Sequence, residues 1–156
     1  MFVVAHAAAG SVIGSVVSTD KPKGWTRLIL YAVLSHIVLD LVPHWDYTPR
    51  LVWIALDLLA SLFVITIVIF IAHTSKWPVI VGSLAATAPD LDVLFVHLDI
   101  LESKFFVSHL SWFPHGELAA PWGIIIQILF IMGCIGFIVL RFAKKGQVPP
   151  AQPGAT

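Results

Sequence analysis

The sequence predicts an all-α membrane protein with five transmembrane helices, and three observations carry that prediction. Hydrophobic residues make up 58% of the 156-residue chain and charged residues only 12%, giving a mean hydropathy of +0.93, far from the balance of a soluble domain. Five stretches, about 2–19, 26–43, 51–73, 77–97 and 121–142, approach the ~20 mainly apolar residues that a helical span requires. Placing the loop at 20–27 in the cytoplasm gathers Lys21, Lys23, Arg27, Lys76, Arg141, Lys144 and Lys145 inside, and leaves only Arg50 and Lys104 outside. The N-terminus is then outside and the C-terminus inside.

The six Trp residues agree with this topology. Trp25 and Trp77 fall at the inner interface; Trp45, Trp53, Trp112 and Trp122 fall at the outer one. Residues 1–143 form a single helical domain, and the polar tail 144–156 is expected to be disordered. The lone Cys134 excludes a disulfide framework. The basic residues follow the first apolar run instead of preceding it, which predicts a retained span and not a signal peptide. They are too scattered to form a phosphate-tracking patch, so the expected partner is the lipid bilayer and no nucleic acid is expected.

In the first span His6, Gly10 and Gly14 recur every four residues and share one helix face. Gly10-x-x-x-Gly14 lets another helix approach closely, and His6 is either a ligand or a hydrogen-bonding residue of that packing face. The second span places His36 and Asp40 at i and i+4, about 6 Å apart on one face, a workable spacing for two ligands of one ion or for interhelical hydrogen bonds. Pro43 disfavours helix at Val42, so the chain should turn at the interface through His44, Trp45 and Asp46.

The third span has one charge, Asp57, roughly 9 Å in from Leu51, with Ser61 a turn further along the same face. His73 belongs to the inner interface and has no expected role in the site. The fourth span begins with the small residues Gly82, Ser83, Ala85, Ala86 and Ala88, then reads Pro89-Asp90-Leu91-Asp92, with His97 beyond. Pro89 should break the helical ladder where the backbone is buried or lines a wet cavity. Asp90 and Asp92, at i and i+2, cannot share a regular helix face. They serve two metals, or one binds while the other orients a ligand.

Residues 98–120 should form an interfacial loop or short helix with its aromatic side chains in lipid, a candidate lid carrying His109, His115 and Glu117. The fifth span has no charge and only Gln127 as a strongly polar side chain, so it should be an anchor.

The topology rests on Lys and Arg alone, so the remaining ionisable residues test it independently. All carboxylates but Asp20, and all histidines but His73, fall in the outer half or the outer loops. Ionisable groups at membrane depth cost at least ~2.5 kcal/mol each near a helix centre, so their convergence predicts a site. The expected metal ligands are His6, His36, Asp40, Asp57, Asp90, Asp92, His97, His109 and His115, and Asp46 or Glu117 is the expected general base or acid. Histidine with carboxylate and no cysteine suits Zn²⁺, Mn²⁺ or Fe²⁺, as one ion or two. Such an ion activates water and stabilises a displacement at phosphorus or carbon, which is the chemistry of hydrolysis.

His6-x-x-x-Gly10 and Pro89-Asp90-Leu91-Asp92 resemble two recurrent motifs of the bacterial membrane-bound metal-dependent hydrolases, a family that includes LexA-binding inner-membrane hydrolases. That family's third motif, a His-Arg-Gly-x-Thr-His run, is replaced here by His109 and His115, one residue further apart and without the Arg-Gly pair. His36-x-x-x-Asp40 is similar to the metal motif of zinc-dependent phospholipases C. The resemblance implies a prokaryotic inner-membrane hydrolase using Zn²⁺ or Mn²⁺. Together with the depth of the polar residues, it makes an amphipathic, lipid-borne ester, a phosphoester foremost, the expected substrate. A metal or proton transporter and a non-catalytic adaptor with a structural metal are the alternatives.

Overall fold

Hydrocarbon solvent removes the usual reason for a helix to be one-sided, and these helices are apolar almost all round. The structure, a computed structural model, describes residues 1–47, 50–72, 75–114 and 116–143. Among them the regular structure is helical: α1 (Val3–Val16), α2 (Gly24–Asp40), α3 (Leu51–Ala72), α4 (Lys76–Thr87), α5 (Leu91–His97) and α6 (Trp122–Ala143). A 3-10 turn at Ala88–Asp90 joins α4 to α5, and a second occupies Val107–His109. No strand occurs among the described residues; one isolated bridge links His44 to Glu117.

Three helical rods are long and apolar enough to cross a membrane: Leu51–Ala72, Lys76–His97 and Trp122–Ala143. The first two expected spans are shorter than their apolar stretches, with 14 residues in α1 and 17 in α2. The chain becomes extended at Val17, and α2 stops at Asp40, ahead of the restriction that Pro43 imposes. Anchoring is not the whole role of α6, as Gln127 shows below.

α1 is the axis of the bundle, packed against α2, α3, α4 and α6. Every residue from Val4 to Ser11 is buried, because a run of Ala and Gly offers little bulk to hold neighbours off. The closest approach is to α4. Gly10 lies on the backbone of Gly82 and Gly14 on the carbonyl of Pro78, and a Cβ at any of these three glycines would overlap main-chain atoms. The pairing of 10 with 82 and 14 with 78 makes the two helices antiparallel, and the same register brings His6 to the level of Ala86.

Two polar side chains from other helices fix the start of α1. The Phe2 N–H donates to Gln127 Oε1 at 2.6 Å, and the Val3 and Val4 N–H groups donate to Asp57 at 2.8 and 2.9 Å. These donors have no partner within their own helix, and a carboxylate at a helix N-terminus also complements the macrodipole.

The bundle is polar inside and oily outside. His6, Ser11, His36, Asp40, His44, Asp57, Asp92 and Gln127 are buried, while Phe63, Phe70, Leu129 and Leu140 are exposed. In water this distribution would be costly; in a bilayer it places apolar surface against acyl chains and polar groups against one another. Val4, Ala8, Val64, Val68, Ala72, Val79 and Ile138 form a continuous apolar core, most of it beyond the level of the buried histidines.

Candidate metal centre

Five side chains from four segments meet beside the start of α1: His6 of α1, His36 and Asp40 of α2, Asp90 of the 3-10 turn, and His109 of the 98–120 loop. The α1–α4 register supplies His6. The i, i+4 spacing on α2 turns His36 and Asp40 inward together. Pro89 has no N–H to donate, the ladder tightens into the 3-10 turn, and Asp90 projects from it. The second 3-10 turn brings in His109.

Reactive atoms converge closely. His36 Nε2 lies 3.1 Å from Asp40 Oδ2, 3.9 Å from Asp90 Oδ1 and 3.2 Å from His109 Nε2. His109 Nε2 is 3.6 Å from Asp40 Oδ2 and 3.7 Å from Asp90 Oδ1. His6 Nε2 is 3.4 Å from Asp40 Oδ1, and its ring stacks on that of His36 with centroids 3.9 Å apart. Two ligand-atom triads result, His6/His36/Asp90 and His36/Asp40/His109, and this His/Asp group could hold a metal ion.

Hydrogen bonds at the outer face of two rings set their tautomers. His36 Nδ1 lies 2.7 Å from the Ala86 carbonyl, and His109 Nδ1 lies 2.5 Å from Asp92 Oδ1. A carbonyl and a carboxylate only accept, so both Nδ1 atoms carry a proton, and in its neutral form each ring directs an Nε2 lone pair inward. Two lone pairs 3.2 Å apart, flanked by carboxylate oxygens, repel unless something positive sits among them. A proton on one ring relieves one contact; a divalent cation relieves all of them. Ligand distances of about 2.0–2.2 Å to Zn²⁺ put neighbouring ligand atoms roughly 3.3–3.6 Å apart in a tetrahedron, close to the spacings found here. The remaining polar atoms give the same indication. Both ring nitrogens of His6, Asp40 Oδ2 and Asp90 Oδ2 are buried without a hydrogen-bond partner of good geometry, a costly arrangement that a cation offsets.

Asp92 fills the orienting role that the i, i+2 spacing left open. Besides holding His109 it accepts the backbone N–H groups of Phe105 and Phe106 at 3.0 and 2.7 Å, which fixes the loop that carries the histidine. Burial lowers the His109 pKa and outweighs the opposing pull of Asp92, so the ring stays neutral and able to ligate.

The other expected residues lie elsewhere. Asp57, expected between the two aspartate-bearing walls, spends both oxygens on the α1 N-terminus, and its Oδ2 also accepts the Tyr47 hydroxyl at 3.2 Å. His97 lines the adjoining cavity without entering either triad. His115, His73 and the tail 144–156 lie outside the described residues. His44 is buried, with Nδ1–H donating to the Val42 carbonyl at 2.6 Å and Nε2 3.3 Å from Asp46 Oδ1. Asp46 also pairs with the Met1 ammonium at 2.7 Å. Burial opposes the charge on Asp46, but His44 and the ammonium prevail and hold its carboxyl well below the usual carboxylate range.

Two residues that the sequence reading passed over do more than expected. Gln127 ties three segments together: besides accepting from Phe2, its Nε2 donates to the carbonyls of Trp45 and Gly123 at 2.9 and 3.1 Å. A single amide in an otherwise uncharged span was the available signal. Ser108, beside His109, is buried and its Oγ has no hydrogen-bond partner; nothing in its local sequence marks it.

The cluster forms one wall of a cavity of about 690 Å³. Asp40, Asp90, His109 and Ser108 make its polar end, and Asp46, Lys104 and Glu117 stand around it. Ile54, Leu58, Leu91, Leu94, Leu110 and Phe113 supply much of its apolar lining, with Tyr47, Thr87, His97 and Ser111 among them. The fold and the cluster thus define an all-helical protein of membrane character with a buried His/Asp group able to bind a metal. In comparisons with protein-family models, with curated proteins and with solved structures, nothing matches this chain.

Proposed function

We propose that the protein is a membrane-embedded, metal-dependent hydrolase acting on a lipid-borne ester, foremost a phosphoester. The observation that carries this reading is that Asp40 and His109 of the His36/Asp40/His109 triad, with Asp90 beside them, line a cavity. A structural metal site is closed by protein ligands on every side, whereas a catalytic one keeps a position for water or substrate. The buried apolar core beyond the cluster favours a cup over a through-path, which weighs against the transporter reading.

In this reading His6, His36, Asp40, Asp90 and His109 would hold Zn²⁺ or Mn²⁺, as one ion or two. The ion supplies a nucleophilic water and charge stabilisation for the displacement. Asp92 keeps the His109 lone pair aimed inward. Glu117 is the better proton acceptor of the two expected candidates, because a carboxylate held far below the ordinary range, like Asp46, is a weak base. All five helical rods cross the bilayer, α1 and α2 as short spans packed alongside the long ones. The cavity faces outside, as the Lys and Arg distribution requires.

The test is activity with metal content. Purified protein loaded with Zn²⁺ or Mn²⁺ should cleave lipid phosphoesters, and Asp90→Ala should lower the rate at least ~10²-fold, as expected when a metal-site function is removed. An undiminished rate in Asp90→Ala would sink the proposal.

A further inference from the structure

The apolar part of the cavity has its own geometry. Ile54 and Leu58 of α3 and Leu91 and Leu94 of α5 all line it. Leu58 and Leu91 are each 48% exposed while also lining the cavity, so they stand at its mouth. Leu58 lies seven residues into α3, roughly 10 Å along the axis from Leu51, and α3 is the most apolar of the three membrane-crossing rods. With α3 crossing the bilayer as proposed above, Leu58 would lie below the headgroups and this part of the cavity lining would adjoin hydrocarbon. An opening of this kind suits a molecule that is already in the membrane.

The polar end carries unsatisfied groups. Asp90 Oδ2 and Ser108 Oγ are buried there without hydrogen-bond partners, and Ser108 is only 1% exposed. A cavity of about 690 Å³ falls within the ~300–1,000 Å³ range of sites that enclose a whole small ligand.

We infer that a hydrocarbon chain of a membrane lipid lies along the cavity lining supplied by α3 and α5, entering laterally from the bilayer and bringing its headgroup to the Ser108 hydroxyl and to the cation that Asp40, Asp90 and His109 would hold. This deepens the hydrolase reading and rests on it for the fate of the headgroup. The seat of the chain rests on the cavity alone. A lipid held this way keeps most of its chain in apolar surroundings, so binding has no need to extract it into water.

The probe is phosphatidic acid carrying a diazirine on its acyl chain, incorporated with the full-length Mn²⁺-loaded protein in nanodiscs, photolysed and mapped by mass spectrometry. Adducts should fall on Ile54, Leu58, Leu91 or Leu94 and on Leu110 or Phe113. Leu58→Trp and Leu91→Trp, tested singly and required to retain bound Mn²⁺, should reduce those adducts about tenfold, the equivalent of losing roughly two buried methylenes. Adducts confined to outward-facing residues such as Phe63, Phe70 and Leu129 in the wild type would overturn the inference, whatever the variants do. Phosphate release is scored separately. Cavity adducts without phosphate release support this seat for the chain and count against phosphatase activity toward this lipid; phosphate release without cavity adducts does the reverse.

Discussion

Asp57 and Asp92 look alike in the sequence, each a lone acid on an oily helix face, yet their partners give them different work. Asp57 accepts two N–H groups at the α1 N-terminus, so Asp57→Ala should cost about 1–3 kcal/mol of stability, as expected for charge-assisted bonds, and leave metal content unchanged. Asp92 holds His109, a ligand in the proposed site, so Asp92→Ala should weaken metal binding roughly 10–100-fold while the bundle stays folded. Competition titration with a chelating dye, alongside thermal melting in detergent, separates the two outcomes. Asp46 makes the pH-dependent prediction. Its folded pKa is depressed, so its contribution is fully present above the ordinary carboxylate value of about 3.9 and is lost as pH falls below it. The drop in melting temperature below about pH 4 should be shallower in Asp46→Asn than in the wild type.

At the scale of the element, the α1–α4 contact decides whether His6 reaches the cluster. Gly82→Leu places a side chain against the backbone of Gly10, where nothing can give way. It should cost about 3 kcal/mol or more, and metal should be lost with the fold. Gly136, on α6, has open space around it, so Gly136→Ala should be neutral or stabilising by up to about 1 kcal/mol. Melting temperatures of the two variants check both signs. The sequence showed the face shared by His6, Gly10 and Gly14 because helical spacing alone determines it. Which helix it meets, and that Gly82 and Pro78 are the points of contact, depends on where the chain returns.

For the whole molecule, orientation in the bilayer is the remaining prediction. With Cys134 replaced by Ala, a cysteine at Lys104 should react with a membrane-impermeant thiol reagent added from outside, and a cysteine at Lys21 should react only after permeabilisation. The reverse pattern would turn the site toward the cytoplasm. The sequence by itself determined the membrane character, the helical class and the residue types of the site, because hydropathy, 3.6-residue periodicity and the cost of burying charge are local properties. It also named His6, His36, Asp40, Asp90 and His109 among its candidates, along with Asp57, Asp92, His97 and His115. Only the tertiary structure decided which of the many buried acids and histidines meet. Asp57 is drawn off to cap α1, Asp92 stands behind His109, His97 stays on the cavity wall, and Gln127 becomes a clamp. Those roles are set by atoms 17 to 125 residues apart in the chain, a separation that no local pattern records.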